Sequence, residues 1–583
     1  MNFKKWVIIS ILLFSITGVY AYSDSIKLLA VSSSSDYDQG VIAELSLTIN
    51  PGSGKVYFDT ASLTKLDTQL SIKISKEIAC DYLINEIDCD NYDFLYSIQT
   101  DSSIIGGPSA GAAATILTIS SLEQIPVNRS ISITGTINSG GYIGNVGGIN
   151  EKLDAAHSAG LDMVLIPYES SNISNTSIDV NKVYDVDQAL YYFTNGRLGN
   201  LTYDYQINET ELYHEYNNKM QKVSDTICSR MHTLKGEVDH NLDNIDEIYD
   251  IATDALNEKS YYSAASFCFR ANILYQEQIL NSSDTNYTLL YFSLLNQYNE
   301  EKDLVNSLNS TSLSNLQVTM IIKNRLNDVK YYLDEINLSL SNESSEISAY
   351  EFAYTIERLE TINSWKVFFD DNENLQISKE KLDEVCLIKT EEAQNRLDYL
   401  DYIAPGFSEV VGLDESFNKL LNYDDSLECI DSAANIKART DVILSILSNT
   451  NQSELYEIKN FLALKSIKDS IDSDFIPIMG FSYHEYAKSL HETNSTTDAL
   501  IYLQQVIELN NINMLFSYNA TSDNEIEFEN NENVIFSIII LLSIFIFVAI
   551  LKSIISKSTI KEKRQLQKEI NITDLKRKIK RIK

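Results

Sequence analysis

Gly106-Gly107-Pro108-Ser109-Ala110-Gly111 is followed, 43 residues beyond its serine, by Lys152 in Val146-Gly147-Gly148-Ile149-Asn150-Glu151-Lys152-Leu153. Pro108 suits the first position of a helix because it has no N–H to lose. Ser109 is therefore expected in a first turn, where unbonded backbone N–H groups and the positive end of the helix dipole collect. Gly106, Gly107 and Gly111 would let another backbone approach closely. The arrangement offers a nucleophile beside an oxyanion site made by the N–H groups of Ser109 and Ala110. A serine that only caps its helix is the competing reading of the hexapeptide.

Gly147-Gly148 turn the chain into the next helix, so Lys152 also falls near a helix N-terminus, where positive charge is disfavoured. Burial would lower its pKa further. A lysine acting as a base must fall from about 10.4 to about 7–8, a differential of about 4 kcal/mol. Thr134, in Ile133-Thr134-Gly135, is a candidate partner for the neutral amine. Read alone, Lys152 could equally be a solvated surface lysine.

Outward from these motifs, residues 25–200 mix the periods of strand and helix. Val41–Ile49 alternates at period two, and with Lys55–Phe58 across Asn50-Pro51-Gly52-Ser53-Gly54 it predicts a hairpin. Helices are expected over 67–87, 108–122 and 149–159, and strands over 94–98, 130–137 and 163–166.

The stretch 101–167 resembles the proteolytic domain of Lon proteases. The resemblance is carried by Gly107-Pro108-Ser109-Ala110-Gly111, Thr134-Gly135, Val146-Gly147-Gly148, Glu151-Lys152-Leu153, Ala155-Ala156-His157, Ala159-Gly160 and Val164-Leu165-Ile166-Pro167, in that order. It implies a Ser-Lys dyad, with Ser109 as nucleophile, Lys152 as general base and Thr134 orienting the lysine. It also implies an α+β protease domain over 22–200, with Gly106, Gly107 and Pro108 as its active-site loop. The chain departs from the family at Gly106, where an acidic residue is usual, and at Thr136, where glutamate is frequent. His157 as the base of a serine-histidine triad is the alternative, but it lies about one and a half turns from Lys152 on the same helix. Gly52-Ser53-Gly54-Lys55 lacks the earlier glycine of a phosphate-binding loop, so no ATP is expected. The architecture is similar to the membrane-anchored, ATP-independent Lon-like proteases of archaea.

From 205 to 525 glycine and proline almost vanish and helical spacing takes over, predicting a mostly α-helical domain of hairpins in a bundle or irregular solenoid. Two segments, Ala252–Ala271 and Tyr486–Tyr502, have the small-residue and tyrosine spacing of packed helical hairpins. Lys4, Lys5, the apolar run to Val19 and Val19-Tyr20-Ala21 read as a signal peptide over 1–21. Residues 534–551 carry no charge and are just long enough to span a bilayer. The 552–583 tail holds twelve Lys/Arg against three acids, which marks the cytoplasmic side. A single-pass protein of the cell membrane is expected, with the intervening part outside the cytoplasm.

The net charge of −36 leaves the exported part still more acidic and unsuited to nucleic acid. Cys80, Cys89, Cys228, Cys268, Cys386 and Cys429 permit disulfides in an exported chain, most simply in sequential pairs. They form no CxxC or Cys/His cluster, so no metal or other cofactor is expected. The expected function is hydrolysis of peptide bonds in unfolded or extended polypeptides, as a monomer or an oligomer. The alternative is an inert surface protein whose helical domain binds partners. Asn128, Asn200 and Asn337 head glycosylation sequons, which fit an external location.

Overall fold

The computed structural model describes residues 22–512, apart from 34–37, 61–62, 84–85, 101–103, 172, 175, 202–208, 239–242, 308–312, 342–347, 370–376, 424, 450 and 473–474. Residues 1–21, 534–551 and 552–583, read above as signal, span and tail, lie outside the described residues. No helix among the described residues is long and apolar enough to cross a membrane.

A mixed seven-stranded sheet organises the first half. Its strands are β1 (Tyr22–Ser33), β2 (Asp38–Pro51), β3 (Val56–Thr60), β5 (Tyr92–Gln99), β7 (Ile131–Ile133), β10 (Met163–Pro167) and β11 (Asp179–Val183). Short pairs join β4 (Leu63–Thr64) to β6 (Ile104–Ile105), and β8 (Thr136–Ile137) to β9 (Ile143–Gly144). The order is β11-β10-β7-β1-β2-β5-β3, antiparallel around β2 and parallel from β1 to β11. On β2 the alternate residues Ala43, Leu45, Leu47 and Ile49 are buried, as period two requires of a strand facing a core.

Helices α1 (Leu66–Tyr82), α2 (Gly111–Leu122) and α4 (Val186–Phe193) pack into the core beneath that face. Helix α3 (Ile149–Ser158) covers the other face through Leu153 and Ala156 against Leu29, Val164 and Ile166. Every residue of α2 is buried, which explains its Gly-Ala-Ser-Thr composition. A Cβ on Gly111 would come within 2.8 Å of Ser71 Oγ and 2.9 Å of Ile137 Cγ2.

Two strand expectations need correction. Strands β2 and β3 are not a hairpin, because β5 lies between them and pairs with both. Gly52 N and Gly54 N donate to the carbonyls of Asn91 and Tyr92, and Asp93 accepts from Ser53 N and Lys55 N. The 51–54 turn thus wraps the start of β5 instead of closing a hairpin. The expected strand over 130–137 is broken at Thr134-Gly135, and its halves β7 and β8 join different sheets. Strand β1, which makes the actual hairpin with β2, was not anticipated, and nor were β11 and α4.

The second half is helical. It comprises α5 (Glu209–Leu212), α6 (His214–Glu237), α7 (Asp243–Asn257), α8 (Tyr261–Ser282), α9 (Tyr287–Ser307), α10 (Leu313–Ser341), α11 (Ala349–Trp365), α12 (Lys379–Ile403), α13 (Phe407–Val410), α14 (Leu413–Leu420), α15 (Ser426–Ser448), α16 (Gln452–Asp472), α17 (Ile478–Glu492) and α18 (Thr496–Asn510). The pairs α7–α8 and α17–α18 are hairpins, turned by Lys259 and Asn494 at φ 64° and 62°. They pack together through Tyr486, whose ring lies 6.0 Å from Tyr262 and 5.1 Å from Tyr502. Helices also pair out of sequence order, α6 with α8 and α12 with α15, so the arrangement is an irregular helical stack.

Disulfides join Cys80–Cys89, Cys228–Cys268 and Cys386–Cys429. They tie α1 to the turn before β5, α6 to α8, and α12 to α15. The described residues all fall within one compact unit, Met1–Tyr518.

Candidate active site

Pro108, Ser109 and Ala110 form a 3-10 turn that leads directly into α2. The serine therefore precedes the α-helix instead of sitting inside its first turn. Gly107 enters that turn at φ 99°, a conformation that disfavours any residue with a Cβ. Gly106 is exposed, with the stem of Lys65 so close that a Cβ there would lie 2.6 Å from Lys65 Cδ. Pro108 is buried, while Ser109 and Ala110 are half-buried.

The turn is held by α1, packed beneath it. Asp67 Oδ2 accepts from Gly107 N at 2.9 Å, and Thr68 Oγ1 donates to Gly107 O at 3.2 Å. One turn further on, Ser71 Oγ donates to Pro108 O at 3.1 Å, and Ser75 Oγ donates to Gly111 O at 2.9 Å. Asp67, Thr68, Ser71 and Ser75 recur at the 3–4-residue spacing of one helix face, so a polar stripe on α1 grips consecutive carbonyls of the serine loop. Sequence reading placed this helix but not its role, since its partners lie about 40 residues away. The polar residues along one side of its pattern were the available signal.

The break between β7 and β8 supplies the opposite wall. Gly135 N donates to Ser109 O at 3.2 Å, and Gly135 O accepts from Ala112 N at 3.2 Å. Thr134 N is fixed to Leu165 O of β10 at 3.1 Å. This leaves the Thr134 side chain beside the serine turn, where Lys152 Nζ donates to Thr134 Oγ1 at 3.1 Å. Both residues are buried, at 4% exposure for Lys152 and 1% for Thr134. Desolvation pushes the lysine down to about 7, against a smaller upward pull from the Glu151 carboxylate. Ser109 Oγ makes no hydrogen bond among the described residues. The structure thus joins Lys152 to Thr134 directly, and Thr134 to Ser109 through the adjoining Gly135 backbone.

Helix α3 begins at Gly148, whose left-handed φ of 67° turns the chain. A Cβ there would come within 2.5 Å of Val31 Cγ2. Lys152 stands one turn into α3, its N–H bonded to Gly148 O at 3.0 Å. The preceding turn is covered by the helical half. Val146 is buried among Leu397, Leu400 and Leu413, and Tyr399 Oη accepts from Gly147 N. Tyr402 lies 5.1 Å from Lys65 Nζ and Asn395 Nδ2 donates to Asp67 O at 3.2 Å. Helix α12 thus touches both the serine-loop support and the lysine turn. His157 is exposed on α3 and reaches Ser177 Oγ, away from this site. No cluster of three metal-ligating side chains occurs among the described residues.

Known proteins share this part of the chain. Residues 70–187, which include Ser109, Thr134 and Lys152, match the Lon protease (S16) C-terminal proteolytic domain. A Lon protease of Buchnera aphidicola is 33% identical over 134 residues, 22% of this chain and 17% of that protein. Archaeal Lon protease of Methanothermobacter thermautotrophicus is 32% identical over 144 residues, 25% of this chain and 21% of that protein. The corresponding protein of Methanocaldococcus jannaschii is 29% identical over 131 residues, 22% and 20% of the two chains. The chain spans about a fifth of the length of these curated relatives. Residues 70–187, which carry the loop before α2 and the buried lysine of α3, are thus similar to the proteolytic domain of Lon-type serine proteases.

Proposed function

We propose that this protein is a serine endopeptidase in which Ser109 and Lys152 form a dyad. Neutral Lys152 takes the proton of Ser109 Oγ as the oxygen attacks the scissile carbonyl, and the protonated amine then returns it to the leaving nitrogen. The N–H groups of Ser109 and Ala110 receive the developing oxyanion, and water hydrolyses the acyl-enzyme. Thr134 Oγ1 orients the amine. The observation that carries this reading is the burial of Lys152 with a hydroxyl, not a carboxylate, as its hydrogen-bond partner. A carboxylate there would hold the amine charged, whereas Thr134 lets it be neutral near pH 7.

Ser109 Oγ and Lys152 Nζ are not hydrogen-bonded to each other; catalytic pairs frequently tighten only when substrate binds. The substrates proposed are unfolded or extended polypeptides, cleaved without ATP. The proposed location is outside the cytoplasm, with the chain anchored by residues 534–551. Three disulfides support an oxidising compartment.

The test uses the full-length protein, Ser109→Ala and Lys152→Ala on an unfolded protein substrate, read by gel and mass spectrometry. Cleavage by the parent alone is expected. Its kcat/KM should rise with pH through an apparent pKa near 7, because only the neutral amine is a base. Cleavage surviving both substitutions would sink the dyad. No cleavage by any version would favour a partner-binding role for the helical half.

A further inference from the structure

A polar cavity, partly open to solvent, lies in the helical half among α8, α10, α11, α15, α17 and α18. Its volume is about 230 Å³, and Arg325, Arg358, Asp328, Trp365, Asn435 and Gln505 are among the residues that line it. Arg358 is ion-paired with Asp328 at 2.7 Å. Arg325 has no carboxylate partner among the described residues. Its Nη1 donates to Ile321 O of its own helix at 3.0 Å, and its guanidinium lies 4.8 Å from the Trp365 ring centre. Its Nε is sealed from solvent with no hydrogen-bond partner, and so is Arg358 Nε.

The walls therefore carry one positive charge in excess, on a guanidinium with donors to spare. Asp431 does not line the cavity, and its carboxylate accepts from Asn324 Nδ2 at 2.7 Å. Burial together with the repulsion of Arg358 lowers Arg325 to about 10. A desolvated charge without a counter-ion is unfavourable. Folded chains tolerate one where a ligand completes it.

The neutral donors point the same way. The side-chain amides of Asn435 and Gln505 have no hydrogen-bond partner among the described residues; Asn435 is exposed at the rim, while Gln505 is only 7% exposed. A buried amide such as that of Gln505 is ordinarily bonded. Here they face a space large enough to hold another molecule's peptide groups.

We propose that this cavity binds the free C-terminus of a polypeptide, its carboxylate on Arg325 and its last peptide groups on Asn435 and Gln505. One excess positive charge matches a monoanion, which favours a carboxylate over a phosphate dianion. A planar guanidinium meets a carboxylate through two parallel N–H bonds. The choice of a chain end as the carboxylate's source rests on the peptidase reading. Hydrolysis of a peptide bond consumes one water and leaves a new C-terminal carboxylate on one product. The helical half would then hold cleaved chains by the ends that the protease domain creates.

The chain contains two tryptophans, Trp6 and Trp365. In full-length protein carrying Trp6→Phe, Trp365 emission reports on the cavity directly. Ser109→Ala is added so that the peptide is not consumed, which keeps this test independent of the dyad. An N-acetylated Ala/Leu tetrapeptide with a free carboxylate should give a saturable change in emission. Its C-terminal amide should bind at least tenfold more weakly. Arg325→Met should abolish the response with an unchanged or higher Tm, since it removes an uncompensated charge; a purely structural arginine would lower Tm. Equal responses to acid and amide would overturn the proposal, as would undiminished binding by Arg325→Met. Acetate or phosphate alone binding as tightly as the peptide would overturn the assignment to a chain end.

Discussion

At the scale of single residues, the proposed role of Lys152 sets activity against stability. Burial holds its folded pKa at about 7, below the 10.5 of an unperturbed lysine. Between those values the unfolded chain holds a proton that the folded chain has released, so its contribution to stability improves as pH rises from 7 towards 10.5. At pH 7 and below, the burden of burying it is fully present, of order 4–5 kcal/mol at most. Lys152→Met should be inactive but more stable than the parent at pH 7, and the gain should shrink towards zero by pH 10.5. Urea denaturation of both proteins at several pH values measures this; a gain independent of pH would contradict the assigned shift. Thr134→Val removes the oxygen that holds the amine. It should lower kcat by about 10- to 100-fold through misplacement of the base, and cost about 1–3 kcal/mol of stability by leaving the buried amine without a partner.

At the scale of elements, the first turns of α1 support the serine loop. The carboxylate of Asp67 accepts Gly107 N at a point where the backbone is already in a left-handed conformation. Asp67→Ala should destabilise by about 1–2 kcal/mol, as expected for losing a charged acceptor. The loss of activity should be larger than that, at least tenfold, because Gly107 would no longer be held. Steady-state kinetics beside a thermal melt separates the two; an activity loss that merely tracks unfolding would deny the loop-holding role. The break at Thr134-Gly135 is the second decisive element. Had 130–137 run as one strand, Gly135 would bond to a neighbouring strand, and its N–H and C=O could not both serve the Ser109 loop.

At the scale of the whole molecule, the two halves are joined by buried charge. Glu169, after β10, accepts from Lys459 Nζ at 2.8 Å and from Ser445 Oγ at 2.6 Å. Lys459 also donates to Gln504, which donates in turn to Glu508. Glu508 pairs with Lys437 at 2.6 Å and Lys389 at 3.7 Å. Each of these charged groups has a partner of opposite sign, and Glu169 is the only member from the sheet-bearing half among those named. Glu169→Ala would leave Lys459 buried without its carboxylate. It should cost about 3–5 kcal/mol, read as a lower denaturation midpoint. A shift below about 1 kcal/mol would mean that the junction is solvated and of little weight.

Local turns were legible in the sequence. Glycine and proline punctuation put Ser109 and Lys152 at a turn or helix start, because such signals are short-range, and it was the resemblance to Lon proteolytic domains, in the order and interval of the motifs, that singled out Ser109, Thr134 and Lys152 as candidates. The period of the apolar residues likewise separates a mixed α/β half from a helical half. Which strand lies beside which was settled only on folding, for β5 enters between β2 and β3 by long-range pairing that no local pattern encodes. Folding alone also set the surroundings of Lys152. A lysine on a helix reads as solvated until Thr134, α3 and the turn covered by α12 are packed around it, and its proton affinity is a property of that burial.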